Sequence, residues 1–147
     1  MADVLPALEV LNVQRTLRDW MNTCPVLPYD LSVTFEDLPA NEVGICIATN
    51  QSPKYLAKYI LGGYRAQYEF SVILRVLPSG DGDMLDAVEA LARVAAWAAK
   101  EPAPVITGAV NVQIKQTSDV AVQNVYEDMT ADYAVTMSLT WEVFDNG

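Results

Sequence analysis

One stretch of alternating side chains, residues 64–77, most strongly limits what this chain can fold into. Successive side chains of a strand point to opposite faces, so this alternation predicts a strand with one buried and one wet face. Gly62-Gly63 supplies the backbone freedom of a turn before the strand, and Pro78-Ser79-Gly80 ends its pairing. The apolar positions are Tyr64, Ala66, Tyr68, Phe70, Val72, Leu74 and Val76.

Four further segments are predicted to be strands. The clearest covers residues 132–144, where apolar side chains again occupy every second position. Residues 31–37 and 43–48 are separated by the polar break Pro39-Ala40-Asn41, and we predict that they pair as a hairpin. Residues 109–115 alternate in the same way and form the fifth predicted strand.

Two segments, residues 4–22 and 83–100, carry apolar side chains at helical spacing. Pro6 is tolerated because it falls in the first turn of its helix. In the second helix Asp83 is the predicted N-cap, and Glu89 and Arg93 stand four residues apart, where they can pair. The predicted core stripes are Val10, Val13, Leu17, Trp20 and Met21 in the first helix, and Leu85, Val88, Leu91, Ala92, Ala95 and Ala99 in the second.

Residues 1–147 have the length of one ordinary domain. Each predicted strand has a single apolar face, which is typical of a mostly antiparallel sheet covered on one side. We predict an α+β two-layer sandwich in the order α-β-β-β-α-β-β, with a five-stranded sheet and both helices packed on one face. Extended loops are expected at 50–63 and 116–131; the first is either a long loop or an extended hairpin arm.

The residue types that most often act in catalysis are either absent from this chain or lack the spacing of a known catalytic motif. The chain has no histidine, which removes the commonest general base and the usual zinc partner. Cys24 and Cys46 do not form a C-x-x-C pair, and we expect no disulfide between them. Gly62-Gly63 lacks the further glycines and the lysine of a phosphate-binding loop. We predict no catalytic residue, no metal ion and no cofactor, and therefore no enzyme.

One acidic cluster, formed by Asp81, Asp83 and Asp86, resembles a metal site in composition. A calcium loop would need a ligand, a glycine and a glutamate where this sequence has Leu85, Asp86 and Ala92. We therefore interpret these acids as capping residues that complement the helix dipole.

The net charge of −10 argues against binding of nucleic acid through its phosphates. The segment Lys54–Arg65 is basic and aromatic, but the overall charge favours a solvated loop or a protein contact over a base-stacking patch. The N-terminal residues lack the basic and apolar regions of a signal peptide, and no apolar run approaches ~18 residues, so neither secretion nor a membrane span is predicted.

Trp97 is predicted to lie opposite the core stripe of its helix, beside Arg93, and tryptophan and arginine are enriched at interfaces. The alternative is that Trp97 lies flat over alanines of the core. Leu8 and Leu11 also lie away from their helix's main stripe. The predicted interface residues are Leu8, Leu11, Lys54, Tyr55, Lys58, Tyr59, Arg93, Trp97, Val120, Val122, Val125 and Tyr126.

Three segments and the order of elements resemble the tail terminator proteins of long-tailed bacteriophages, also called tail-completion or minor capsid proteins. The segments are GGYRAQYEFSVILRV, DMLDAVEALARVAAWAAK and NVYEDMTADYAVTMSLTWEVF. The resemblance implies an α+β domain that assembles as a hexameric ring on the end of the tail tube. Such a ring stops tube polymerisation and presents a surface for joining the head.

The resemblance also implies the partners: further copies of the chain, the tail tube protein and a head-completion protein of the neck. DNA would pass through the lumen without specific binding, and an acidic lining would repel its phosphates. The expected location is the virion, after synthesis in the host cytoplasm. Two alternatives remain open: a head-completion or connector protein, and a non-viral α+β binding or enzyme subunit with a pocket at a subunit interface.

Overall fold

The computed structural model describes residues 5–28, 31–38, 43–77, 81–100, 103–127 and 130–144, without the side chains of 52 and 81–85. Two helices and six strands lie in these ranges. Their bounds are α1 Ala7–Met21, β1 Val33–Phe35, β2 Gly44–Lys58, β3 Tyr64–Val76, α2 Asp81–Lys100, β4 Val110–Gln116, β5 Ala121–Val125 and β6 Ala131–Val143.

The described strands form one mixed sheet in the order β1-β2-β3-β6-β4, with β5 also paired to β6. β1 and β2 run parallel, and all other neighbours run antiparallel. The predicted α+β class is confirmed. The predicted number of strands was wrong, because the sheet has six described strands where five were predicted.

β3 and β6 form the centre of the sheet. Their pairing runs from Tyr64 opposite Val143 to Val76 opposite Ala131 without a register shift. Apolar positions of the two strands therefore meet on one face, and the paired Phe70 and Met137 are both fully buried. The two alternating patterns in the sequence are confirmed as strands.

The first predicted hairpin was wrong, because β1 lies parallel to β2, with Val33 opposite Ile45. β1 has only three residues, so its two ends lie within roughly 10 Å of each other, and a parallel second strand can start beside it without a long crossover. The outer edge of β1 is occupied by the side chain of Asn22, just after α1. Its Oδ1 accepts from Val33 N at 2.7 Å, and its Nδ2 donates to Val33 O at 3.1 Å.

Residues 50–58 continue β2, so the extended hairpin arm is the alternative that the structure shows. The β2–β3 ladder reaches Lys58 opposite Tyr64 and has three register shifts on the way. One shift spans Pro53, which has no N–H to donate; proline in a strand is found at such irregularities.

Both helices contribute to the same buried cluster as β3 and β6. In α1 the predicted stripe is confirmed, with Val13, Leu17 and Met21 buried. In α2 the predicted stripe was partly wrong, because Ala92 and Ala99 are exposed. The faces of an alanine-rich helix differ little in hydrophobicity, so the sequence does not identify clearly which face is buried. The described buried residues of α2 are Ala87, Leu91, Val94, Ala95 and Ala98.

α2 begins at Asp81, so Asp83 lies inside the helix and the prediction that it is the N-cap was wrong. Glu89 and Arg93 form the predicted pair, with Arg93 Nη2 2.6 Å from Glu89 Oε1. Of the acidic cluster Asp81, Asp83 and Asp86, the side chains of Asp81 and Asp83 lie outside the described ones.

The expected loop at 116–131 contains a strand, so that prediction was also wrong. β5 pairs antiparallel with the first half of β6, while β4 pairs with the second half. All five residues of β5 are exposed, so no buried face creates an alternating pattern that sequence reasoning would detect.

Tyr133 provides a prediction about the core. Its hydroxyl is buried and has no hydrogen-bond partner among the described residues, and a buried unsatisfied group costs about 1–3 kcal/mol. Tyr133→Phe should therefore raise the free energy of unfolding by about 1 kcal/mol, measured by urea denaturation. Tyr68→Phe is the matched control, because the Tyr68 hydroxyl lies 2.7 Å from Thr49 Oγ1 and its removal should destabilise the fold. A loss of stability in Tyr133→Phe would contradict the prediction.

Candidate protein-interaction surfaces

The hairpin tip, residues 59–63, joins β2 to β3. Gly62 N donates to Tyr59 O and Tyr59 N donates to Gly63 O, each at 3.1 Å. Gly62 and Gly63 have φ 95° and 87°, a backbone conformation that glycine adopts without strain. The two residues at the apex are Ile60 and Leu61, whose side chains are 101% and 92% exposed. Turn apices usually carry polar residues, so two exposed aliphatic side chains at this apex are unusual.

The tip is tied to the end of β6 by Tyr59. The Tyr59 hydroxyl donates to Glu142 Oε2 at 2.6 Å, and its ring stacks on Phe144 at 5.6 Å between centroids. Glu142 Oε1 accepts a second hydrogen bond from Asn111 Nδ2 at 2.8 Å. These contacts hold the tip in one position relative to the sheet.

Acid should loosen this attachment. The hydrogen bonds from Tyr59 and then Asn111 lower the pKa of Glu142 below its ordinary value of about 4.3. Because the folded pKa is the lower one, the stabilisation is complete above pH ~4.3 and is lost as the pH falls through the folded pKa. NMR shifts of the Tyr59 and Phe144 rings should report this loss. In Glu142→Gln the same rings should show no such titration; a persisting transition would point to another group.

The arm behind the tip has its own aromatic contacts. Lys58 Nζ lies 4.4 Å from the ring centroid of Tyr55, and that ring meets Tyr64 edge-on at 4.9 Å. The Tyr64 hydroxyl donates to Glu9 Oε2 of α1 at 2.9 Å. Burial and this carboxylate raise the pKa of the Tyr64 phenol. Of the predicted arm residues, Tyr55 and Lys58 thus contact each other, whereas Lys54 lies opposite Gln67 and Tyr59 donates to Glu142.

β5 and its flanking residues form a second apolar surface. Val122 and Val125 are 51% and 54% exposed. They pair with Tyr133 and Ala131 and so continue the sheet's core-bearing face. Val120 is partly buried and packs against the core. We call Val122 and Val125 the β5 surface; the side chain of Tyr126, which follows β5, reaches Asp132 on the opposite face of the sheet.

Tyr126 is fixed by a buried ion pair. Arg75 Nε donates to Asp132 Oδ1 at 2.8 Å and Nη2 donates to Oδ2 at 3.0 Å, with side-chain exposures of 15% and 6%. The Tyr126 hydroxyl donates to Asp132 Oδ2 at 2.7 Å and accepts from Arg75 Nη2 at 3.0 Å. Cys46 is buried near this pair, and burial followed by the Asp132 charge raises the pKa of its thiol to about 11. Cys24 and Cys46 are both free thiols.

The helix residues predicted as contacts do not lie together. Leu8 is 81% exposed and Leu11 41% exposed on α1, and the Arg93 side chain is 66% exposed on α2. Trp97 is only partly buried, but it stacks on Trp20 of α1 at 4.5 Å between centroids. The expectation that Trp97 points away from the core was wrong, because it packs between the two helices.

Sequence reasoning missed the most exposed apolar residues. Ile60 and Leu61 were overlooked because the arm was described by its lysines and tyrosines. An Ile-Leu pair directly before Gly62-Gly63 indicates apolar side chains at a turn, and this could have identified them. Val110, at the start of β4, and Phe144, just after β6, are 47% and 51% exposed and lie at the same end of the sheet as the tip; Val105, five residues before β4, is 88% exposed.

The described cavities are modest. One of about 140 Å³ lies under the start of α1 and is lined by Leu5, Glu9, Tyr64 and Trp141 among others. A cleft of about 360 Å³ lies between Ala98 and Ala99 of α2 and residues 112–115 of β4. No group of three metal-ligating side chains comes together among the described residues. Within those residues, neither helix is long and apolar enough to cross a membrane.

Comparison of the chain with protein-family models gave no match, and comparison with curated proteins gave none either.

Proposed function

We propose that this chain is a structural virion protein of the tail terminator class. In this proposal a two-layer sandwich, with both helices on one face of the sheet, assembles as a hexameric ring on the end of a phage tail tube. The ring stops tube polymerisation and provides the surface on which the head is joined. Its partners are further copies of the chain, the tail tube protein and a head-completion protein.

The observation that carries the proposal is the apolar apex of the hairpin tip. Ile60 and Leu61 are almost completely exposed, and burying such a side chain stabilises a contact by about 1.5–3 kcal/mol. Large exposed aliphatic side chains at one end of a sheet are typical of a surface that another protein covers. A subunit of an assembly needs such a surface, whereas an isolated domain gains nothing from it.

The net charge of −10 supports the part of the proposal that concerns DNA. An acidic lumen repels phosphates, so DNA can pass without adhering to the ring. The purified protein should therefore leave the mobility of double-stranded DNA unchanged in a gel at low salt, where attraction between charges is strongest. A shifted band that disappears at higher salt would contradict this role.

Self-association tests the proposal. Light scattering over a rising protein concentration should show a species of about six times the 16.1 kDa of one chain, and electron micrographs should show rings. With tail tubes added, the rings should sit on tube ends. A protein that stays monomeric at every concentration and ignores tail tubes would exclude the proposal.

A further inference from the structure

We propose that the ring contact is head-to-tail: the hairpin tip of one copy docks on the β5 surface of the next copy. This inference rests on the proposed self-association and names the two surfaces that make it. The occupant of the β5 surface is thus a second copy of this chain, and the side chains that enter the contact are Ile60 and Leu61.

The two surfaces match in chemistry. The tip presents two aliphatic side chains, and the β5 surface presents Val122 and Val125, half-exposed on a continuation of the apolar sheet face. Each surface is also held in place within its own chain, the tip by Tyr59 and the β5 surface by Tyr126. Preorganised surfaces bind with a smaller loss of conformational entropy.

The two surfaces also match in charge. Residues 50–65 carry Lys54, Lys58 and Arg65 and no acidic residue, while Glu142 of β6 accepts a hydrogen bond from Tyr59 of the tip. Residues 117–127 carry Asp119 and Glu127 and no basic residue. Opposite charges around an apolar contact favour this pairing over tip-to-tip or β5-to-β5 pairing, in which like charges would meet.

The two surfaces cannot meet within one chain. The tip lies at the Val143 end of β6, and β5 pairs with β6 at its Ala131 end. β6 has 13 residues, so these ends lie about 40 Å apart. A contact between two different surfaces of identical subunits is heterologous, and it produces a closed ring when its rotation closes.

The test uses two variants of the full chain. Ile60→Asp with Leu61→Asp places charge on the tip, and Val122→Asp with Val125→Asp places charge on the β5 surface. All four side chains are half-exposed or more, so both variants should fold, which circular dichroism and thermal unfolding will verify. Each variant alone should be monomeric, with self-association weakened roughly 30-fold or more.

The equimolar mixture gives the decisive result. It contains one intact tip and one intact β5 surface per pair, so it should form one-to-one heterodimers and nothing larger by native mass spectrometry. Val26→Asp is the control, because Val26 is 40% exposed and belongs to neither surface; it should assemble like the unaltered chain. Asp119→Lys with Glu127→Lys is a second β5 variant, which should weaken assembly without altering an apolar residue.

The outcomes separate the two proposals. Rings formed by the unaltered chain and equally by both β5 variants would overturn this inference and leave the proposed function standing. Monomeric variants whose mixture forms no heterodimer would also overturn it. An unaltered chain that never self-associates would overturn both the inference and the proposed function.

Discussion

Replacing Arg75 by alanine is expected to lower the free energy of unfolding by roughly 3–5 kcal/mol. Asp132 has a side chain that is only 6% exposed, and it accepts two hydrogen bonds from Arg75. Without the guanidinium, the Asp132 carboxylate stays buried and loses its cation. Urea unfolding followed by tryptophan fluorescence measures the loss.

Arg93→Ala is the matched control for this substitution. Arg93 pairs with Glu89 at 2.6 Å, closer than the Arg75–Asp132 contact, but both side chains are at least 60% exposed. An exposed pair four residues apart on a helix contributes only about 0.3–0.5 kcal/mol. If the two arginine substitutions lower the free energy of unfolding equally, burial does not increase the contribution of the Arg75–Asp132 pair to stability.

Trp97→Ala is expected to lower the free energy of unfolding by about 2–3 kcal/mol. Its ring stacks on Trp20 with an interplanar angle of 28° and packs against the core. The substitution therefore removes an aromatic pair and leaves space between the two helices. Chemical denaturation at low protein concentration, where assembly does not contribute, gives the value for one chain.

Trp97→Phe should retain most of this stability because it keeps a ring against Trp20. A double-mutant cycle with Trp20→Ala should give a coupling of about 1 kcal/mol for the stacked pair. The interface interpretation makes the opposite prediction: Trp97→Ala would weaken self-association and leave the stability of one chain within ~0.5 kcal/mol.

The candidate surfaces were only partly predictable. Lys58 and Tyr59 indicated the arm as a candidate surface, because a basic and aromatic segment stands out in an acidic chain. Ile60 and Leu61 at its apex were missed, since aliphatic residues are normally assigned to the core. Val122 and Val125 were predicted as contacts, but as part of a loop, because an edge strand without a buried face leaves no alternation to detect.

The sequence by itself determined the strands and helices whose pattern is local. Residues 64–76 and 132–143 became β3 and β6 because the direction of each side chain depends only on its position along an extended backbone. The α1 stripe follows from helical spacing in the same way.

Only the tertiary structure decided how distant segments combine. β1 runs parallel to β2, and its outer edge is occupied by Asn22, eleven residues earlier. Arg75 lies between the apolar positions of its strand, yet its side chain is only 15% exposed, because it pairs with Asp132, 57 residues away, opposite it on β6. Trp97 packs between the two helices because α1 places Trp20 against its ring. Each outcome depends on a partner that local periodicity does not identify.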